Sequence, residues 1–179
     1  MNIRIWLCIL LIIIVSCKSD NFYDTKRELS TNKTIYNIGD EIIIRMKITP
    51  QKIRKEILVY KNYKNIDFSF SIINHHKNIY NGYWSNTSGT NLPLSDIKEL
   101  TITKNDPFIV EYIGNIGVEN ENVYILFPKL NNYKVTFNKE ILQDANTFIR
   151  IHGISYPIKP EIGASLEEYF NTKDFKIKL

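Results

Sequence analysis

The chain of 179 residues has two cysteines, Cys8 and Cys17, and none from residue 18 to the end. A domain built from that remainder cannot lean on disulfides and must stand on its hydrophobic core. Long hydrophobic runs are missing too. The longest, residues 5–15, has eleven apolar positions; as a helix it reaches roughly 16 Å, against a bilayer core of about 30 Å. It is too short to span a membrane. The three histidines, His75, His76 and His152, show neither H-x-x-x-H nor H-E-x-x-H spacing, the arrangement that sets two imidazoles on one helix face around zinc. No serine sits in a G-x-S-x-G elbow, no acidic loop follows the D-x-[DN]-x-[DN]-G ladder of calcium hands, and no repeat of fixed period is visible. The pI of 8.9 comes from lysines scattered along the chain rather than gathered into a stripe, which disfavours nucleic acid as a partner.

What is present begins at the N-terminus. Arg4 precedes the apolar run, and Ser16 and Cys17 close it where the sequence turns polar. A basic start, a short apolar stretch and a small residue at the cut are the marks of a secretory signal peptide. Ile14-Val15-Ser16-Cys17 resembles the lipobox of bacterial lipoprotein precursors, with Val15 in place of a more usual Ala or Ser. The resemblance implies cleavage between Ser16 and Cys17, a diacylglyceryl thioether on Cys17, and acylation, typically by palmitate, of the new amino terminus. Residues 1–16 are then a signal peptide, 17–26 a lipidated tether and 27–179 the domain. An ordinary signal peptide and an uncleaved N-terminal anchor are the alternatives. Each buried CH₂ contributes about 0.8 kcal/mol, so two or three acyl chains hold a protein stably where one does not. Lys18 and Ser19 follow the cysteine and Asp20 comes only third. That order favours outer-membrane sorting over inner-membrane retention.

From about Arg27 the pattern is that of strands. Ile42, Ile44, Met46 and Ile48 alternate with Arg45 and Lys47 before Pro50. Residues 56–63, 67–73, 79–84, 98–104, 108–113, 123–127, 133–137, 147–151 and 175–179 give further candidates, with Phe68, Phe70 and Ile72 facing in and Ser69 and Ser71 facing out. Residues 36–41 read as the turn ahead of the first clear strand. One helix is expected: Ser165 with Glu168 three residues on forms a capping box, followed by Tyr169-Phe170 and stopped at Asn171. Short strands with almost no helix predict an all-β antiparallel sandwich or barrel with one short C-terminal helix.

Two segments sharpen that. Tyr36-x-x-Gly39-Asp40-x-Ile42-x-Ile44 resembles the lead-in to strand B of exported immunoglobulin-like modules, and Asn132-Tyr133-Lys134-Val135-Thr136-Phe137 is similar to their strand F. In that family the corner tyrosine bonds the backbone, and Asn132 replaces the usual glycine because asparagine also enters left-handed geometry. The Cys–Trp–Cys hallmark is absent. A fainter likeness, to small β-sandwich proteinase inhibitors of bacteria, rests on Asp67-Phe68-Ser69-Phe70-x-Ile72 followed by Tyr83-Trp84-Ser85.

Candidate chemistry is sparse. His75-His76 reads as part of a hairpin loop, residues 74–78, where solvated side chains are commoner than metal ligands. Asp40-Glu41, Asn105-Asp106 and Glu119-Asn120-Glu121-Asn122 are oxygen-rich turns with the donors calcium uses, but solvated turns are the simpler reading. No cofactor is implied. His152 with a serine and an aspartate supplies triad residue types, which nearly every chain contains. Tyr60, Tyr63, Tyr80, Tyr83 and Trp84 crowd the middle of the chain beside a polar loop, residues 85–95. The expected contact surface is therefore His75, His76, Tyr83 and Trp84 with that loop. The expected function is a membrane-anchored, non-catalytic binding module for a protein or glycan. An inhibitor or immunity-type lipoprotein acting on an exported protease or toxin is the alternative, and a hydrolase comes third.

Overall fold

Strand β3 (Glu41–Pro50) shows how the sequence pattern becomes a layer: Ile42, Ile44, Met46 and Ile48 are buried while Glu41 and Arg45 on the opposite face are exposed. The structure, a computed structural model, describes residues 25–63, 65–74, 77–79, 94–155 and 168–179. In it β3 lies between β1 (Thr25–Thr31) and β8 (Phe108–Glu119), followed by β9 (Asn122–Phe127) and the edge strand β10 (Tyr133–Asn138), all antiparallel. A second sheet runs β2 (Ile35–Asn37), β13 (Lys173–Lys178), β11 (Thr147–Ser155), β5 (Ile66–Asn74) and β6 (Lys77–Ile79). The two-residue β12 (Glu168–Tyr169) pairs with the far end of β11, and β2 with β13 is the one parallel pair among the described strands. A separate ribbon joins β4 (Arg54–Tyr60) to β7 (Ile97–Thr103). The chain is thus mostly antiparallel sheet, as its alternation predicts. β1 takes in Thr25 and Lys26, two residues from the stretch read as tether.

Aromatic side chains bridge the two large sheets. The ring of Phe68 on β5 lies 5.0 Å from that of Tyr112 on β8 and 5.2 Å from that of Phe127 on β9, and Phe70 meets Phe137 on β10 edge-on at 6.1 Å. Each fully buried side chain of this size contributes about 1.5–3 kcal/mol. Gly153 on β11 lets the layers close: a Cβ there would lie 2.6 Å from Met46 Cε and 3.0 Å from Leu29 Cδ1.

Two expectations are corrected. Glu168 and Tyr169 are strand, not helix; Ser165 lies outside the described residues. A capping box needs the Glu168 carboxylate to fold back on its own turn, whereas here that carboxylate pairs with Arg27, and β11 supplies the backbone partners. Tertiary pairing overrides a two-residue local signal. The α-helix of the described residues is α1 (Lys139–Gln143), capped by Asn138, whose side-chain oxygen accepts from the Glu140 amide at 2.7 Å. Ser71, expected to face out, lies on the face opposite Phe70 yet is only 3% exposed. Asn132 does take left-handed geometry, at φ 57°, beside Asn131 at 51°. Tyr133 stands on the edge strand, stacked on Phe127. The Tyr112 hydroxyl donates to the Ile66 carbonyl at 3.1 Å, and that of Tyr36 accepts from the Lys33 amide at 3.1 Å.

Candidate functional site

Polar side chains are rarely buried without partners, and Thr25, Asn65 and Ser155, three of those buried here, gather at one seam. Arg27 projects from β1 where the first sheet meets the β11–β12 corner of the second. Its Nε donates to Ser155 Oγ at 3.1 Å, one terminal nitrogen donates to Thr25 Oγ1, and the other pairs with the Glu168 carboxylate. The side chain is 10% exposed and that of Glu168 32%. Burial lowers the guanidinium pKa to about 10, so it stays charged at neutral pH. The edge of β1 is closed at the same place: the Leu29 amide donates to Asn171 Oδ1 at 2.6 Å, and the Asn171 amide donates to the Arg27 carbonyl. An open edge would invite another strand; this one is satisfied by the connection between β12 and β13.

Beside the clasp lies a cavity of about 240 Å³. Its polar wall is Thr25, Arg27, Ser155 and Asn65; its apolar wall is Ile57, Leu58, Val59 and Ile66, with Lys55 and Glu56 alongside. Apolar surface with a few placed polar groups is the composition of ligand pockets, though this one is below their usual size of about 300–1,000 Å³. A second cavity of about 370 Å³ lies between α1 and the end of β13, floored by Ile149 and Ile177. Lys176 there donates to the Ala145 carbonyl and lies 4.2 Å from the Phe148 ring centroid.

A third arrangement sits on the outer face of the second sheet. Ser71 Oγ and His152 Nε2 are hydrogen-bonded at 2.8 Å, next to an Arg150–Asp174 pair with bonds of 2.6 and 2.7 Å. Burial first, and Arg150 second, push the His152 pKa down against the opposing pull of Asp174. The lowered pKa favours the neutral imidazole, and its tautomer sets which of Ser71 and His152 donates in their bond. Ser71 is nevertheless shielded from solvent, which suits a satisfied buried hydroxyl better than a nucleophile.

The residues singled out from sequence fall largely elsewhere. Cys17, His75, His76, Tyr83 and Trp84 lie outside the described residues, as do Tyr80 and the loop 85–93. Tyr60 is buried, and Tyr63 is exposed on one side and edge-on to Phe108 on the other. The acidic turns are engaged locally: Asp40 accepts from the Asn37 amide and pairs with Lys33, and Glu119 pairs with Lys134. Both carboxyl pKa values are lowered, chiefly by those hydrogen bonds. Among the described residues no three His, Cys, Asp or Glu side chains are placed to hold a metal ion, and no helix is long and apolar enough to cross a membrane. The Arg27 clasp was not foreseen. Arg27 and Ser155 are 128 positions apart, and no short-range pattern marks such a pair.

No protein-family model matches the chain, and no curated protein is similar to it in sequence. Among solved structures it is similar to the sporulation control protein Spo0M of Bacillus subtilis, at 10% identity and a TM-score of 0.45, over 88% of this chain and 51% of that one. The chain spans about half the length of that protein.

Proposed function

We propose that the protein is an exported lipoprotein, held by acyl chains on Cys17 at the cell envelope, with the outer membrane its destination, and that it acts as a non-catalytic binding module on an immunoglobulin-like two-sheet sandwich. The observation that carries this reading is the lipobox-like Ile14-Val15-Ser16-Cys17, eight residues ahead of the first described strand. The antiparallel sheets and the left-handed Asn132 support the sandwich type. The cavity beside Arg27 supports binding: its arginine, serine and threonine hydrogen-bond one another, so the polar wall is preorganised to orient a ligand while the β4 side chains supply apolar contact.

A pocket variant tests this. Leu58→Glu puts a charge on the apolar wall at a partly buried position. The lipidated protein is expected to retain a saturable partner from a detergent extract of the envelope, and Leu58→Glu to lose it with an unchanged melting temperature. Equal retention by both proteins contradicts the assignment to this cavity. If the retained partner is a protease or toxin whose activity is abolished in the complex, the inhibitor reading replaces the simpler module. A hydrolase is the second reading, favoured by the Ser71–His152 hydrogen bond alone; an activity lost in Ser71→Ala and His152→Gln, with the fold intact by circular dichroism, would establish it.

A further inference from the structure

One turn, at the end of the described domain where the chain enters, gathers three basic side chains around an exposed isoleucine. Thr25, where the chain enters, pairs with Pro50, and residues 51–53 turn from there into β4, whose Arg54 pairs with Thr103. One end of the sandwich therefore carries Lys26, Lys52, Arg54, Lys55 and Lys104, and between them Ile53, 86% exposed, the most exposed large apolar side chain of the described residues. Acidic residues there are Glu28, which pairs with Lys26 at 2.7 Å, together with Glu56, Asp106 and, farther along the β4–β7 ribbon, Asp96 and Glu99 beside Lys61 and Lys98, while Glu168 is taken by Arg27. The opposite end sets Asp40, Glu41, Glu119, Glu121, Glu140 and Asp144 against Lys33, Lys134, Lys139, Lys176 and Lys178, so its charge is mixed. Glu41 stands nine steps along β3 from Pro50, about 30 Å away at the rise of a strand.

We propose that the Lys52-Ile53-Arg54-Lys55 turn is a second membrane contact, which seats the end of the domain where the chain enters on an anionic leaflet. The proposal rests on lipidation of Cys17. From Cys17 to Thr25 the chain can reach at most about 29 Å, so an anchored Cys17 keeps the Thr25 end, and with it the 51–53 turn, near the bilayer. Charge complementarity selects the occupant. Basic side chains near an anionic surface each strengthen association about fivefold, and an exposed isoleucine among them enters the headgroup boundary as apolar residues of interfacial segments do. The acyl chains on Cys17 already hold the protein at the bilayer, so the basic turn sets its orientation on the leaflet rather than its retention. The cavity beside Arg27 opens at this same end, because Thr25, Lys55 and Ser155 line it. Its ligand is met close to the membrane.

The lipidated full-length protein, with Cys8 removed along with its signal and Cys17 blocked by lipid, has no free thiol, so Ile53→Cys and Glu121→Cys each accept one environment-sensitive fluorophore. In vesicles rich in phosphatidylglycerol, the label at 53 is expected to shift to the blue and be quenched by nitroxides on the lipid headgroup, and the label at 121 to stay in water. Quenching at 53 is expected to be lost in phosphatidylcholine vesicles, in high salt, and in a background carrying Lys52→Glu and Arg54→Glu. A lipidated protein whose label at 53 is as water-exposed as that at 121 overturns the proposal and leaves the turn to a soluble acidic partner. A protein whose mass shows no acyl chains overturns the anchor, and this orientation with it.

Discussion

Arg27 does the work of a bolt between layers. A guanidinium offers five donors in a planar fork, and here three of them go to a hydroxyl from its own strand, a hydroxyl from β11 and a carboxylate from β12. Removing the fork leaves the Glu168 carboxylate without its counter-ion. Arg27→Met is expected to cost about 3 kcal/mol, the low end for breaking a buried pair, because Glu168 keeps a third of its side chain in water. Arg27→Lys should recover little, since one ammonium cannot reach all three acceptors. Urea midpoints of the variants check both values. His152 supplies a pH signature. Its folded pKa lies below the ordinary value of about 6.5, so on acidification the unfolded chain takes up the proton first. Its contribution is fully present above about pH 6.5 and is lost as pH falls toward the lower folded value. In His152→Gln the urea midpoint should decline less across that window; an identical slope in both proteins refutes the assignment. Glu28, Asp40 and Glu119, all with lowered pKa values, lose their contributions lower, below about pH 4.5.

At the scale of elements, most strands were legible from the sequence, β5 among them, and the burial of an outer face was not. β3 alternates because one face is buried and the other wet, and β9, β10 and β11 follow the same rule. β5 breaks it. Asp67 and Ser71 are buried on the face that alternation assigns to solvent, where Ser71 is hydrogen-bonded to His152 of the neighbouring strand. The C-terminal helix failed because a local cap competed with a long-range pairing, and α1 escaped because Asn138 ends a strand and caps a helix at once. The clasp combines residues near positions 27, 155 and 168, a set that only the meeting of two sheets assembles. Gly153 shows how tightly they meet. Gly153→Ala forces its Cβ onto Met46 Cε and is expected to cost about 1–3 kcal/mol by overpacking, read as a lower thermal midpoint; an unchanged midpoint would mean the layers are looser than drawn.

At the scale of the whole molecule, two antiparallel sheets rest on an aromatic core, closed at the β1 edge by Asn171 and bolted by Arg27. The chain enters at the end that carries the 52–55 turn, where the cavity also opens. That geometry makes Cys17 decisive, since lipid on it would set which end meets the bilayer and where a ligand would be encountered. The most direct measurement is fatty-acid labelling of cells producing the protein or Cys17→Ala, with the mass of the purified chain. The account predicts label on the wild-type protein alone, a mature chain beginning at Cys17 with the mass of a diacylglyceryl group added, and unprocessed precursor in the variant. Equal labelling of the two proteins, or a mature chain with an unmodified Cys17, would contradict it.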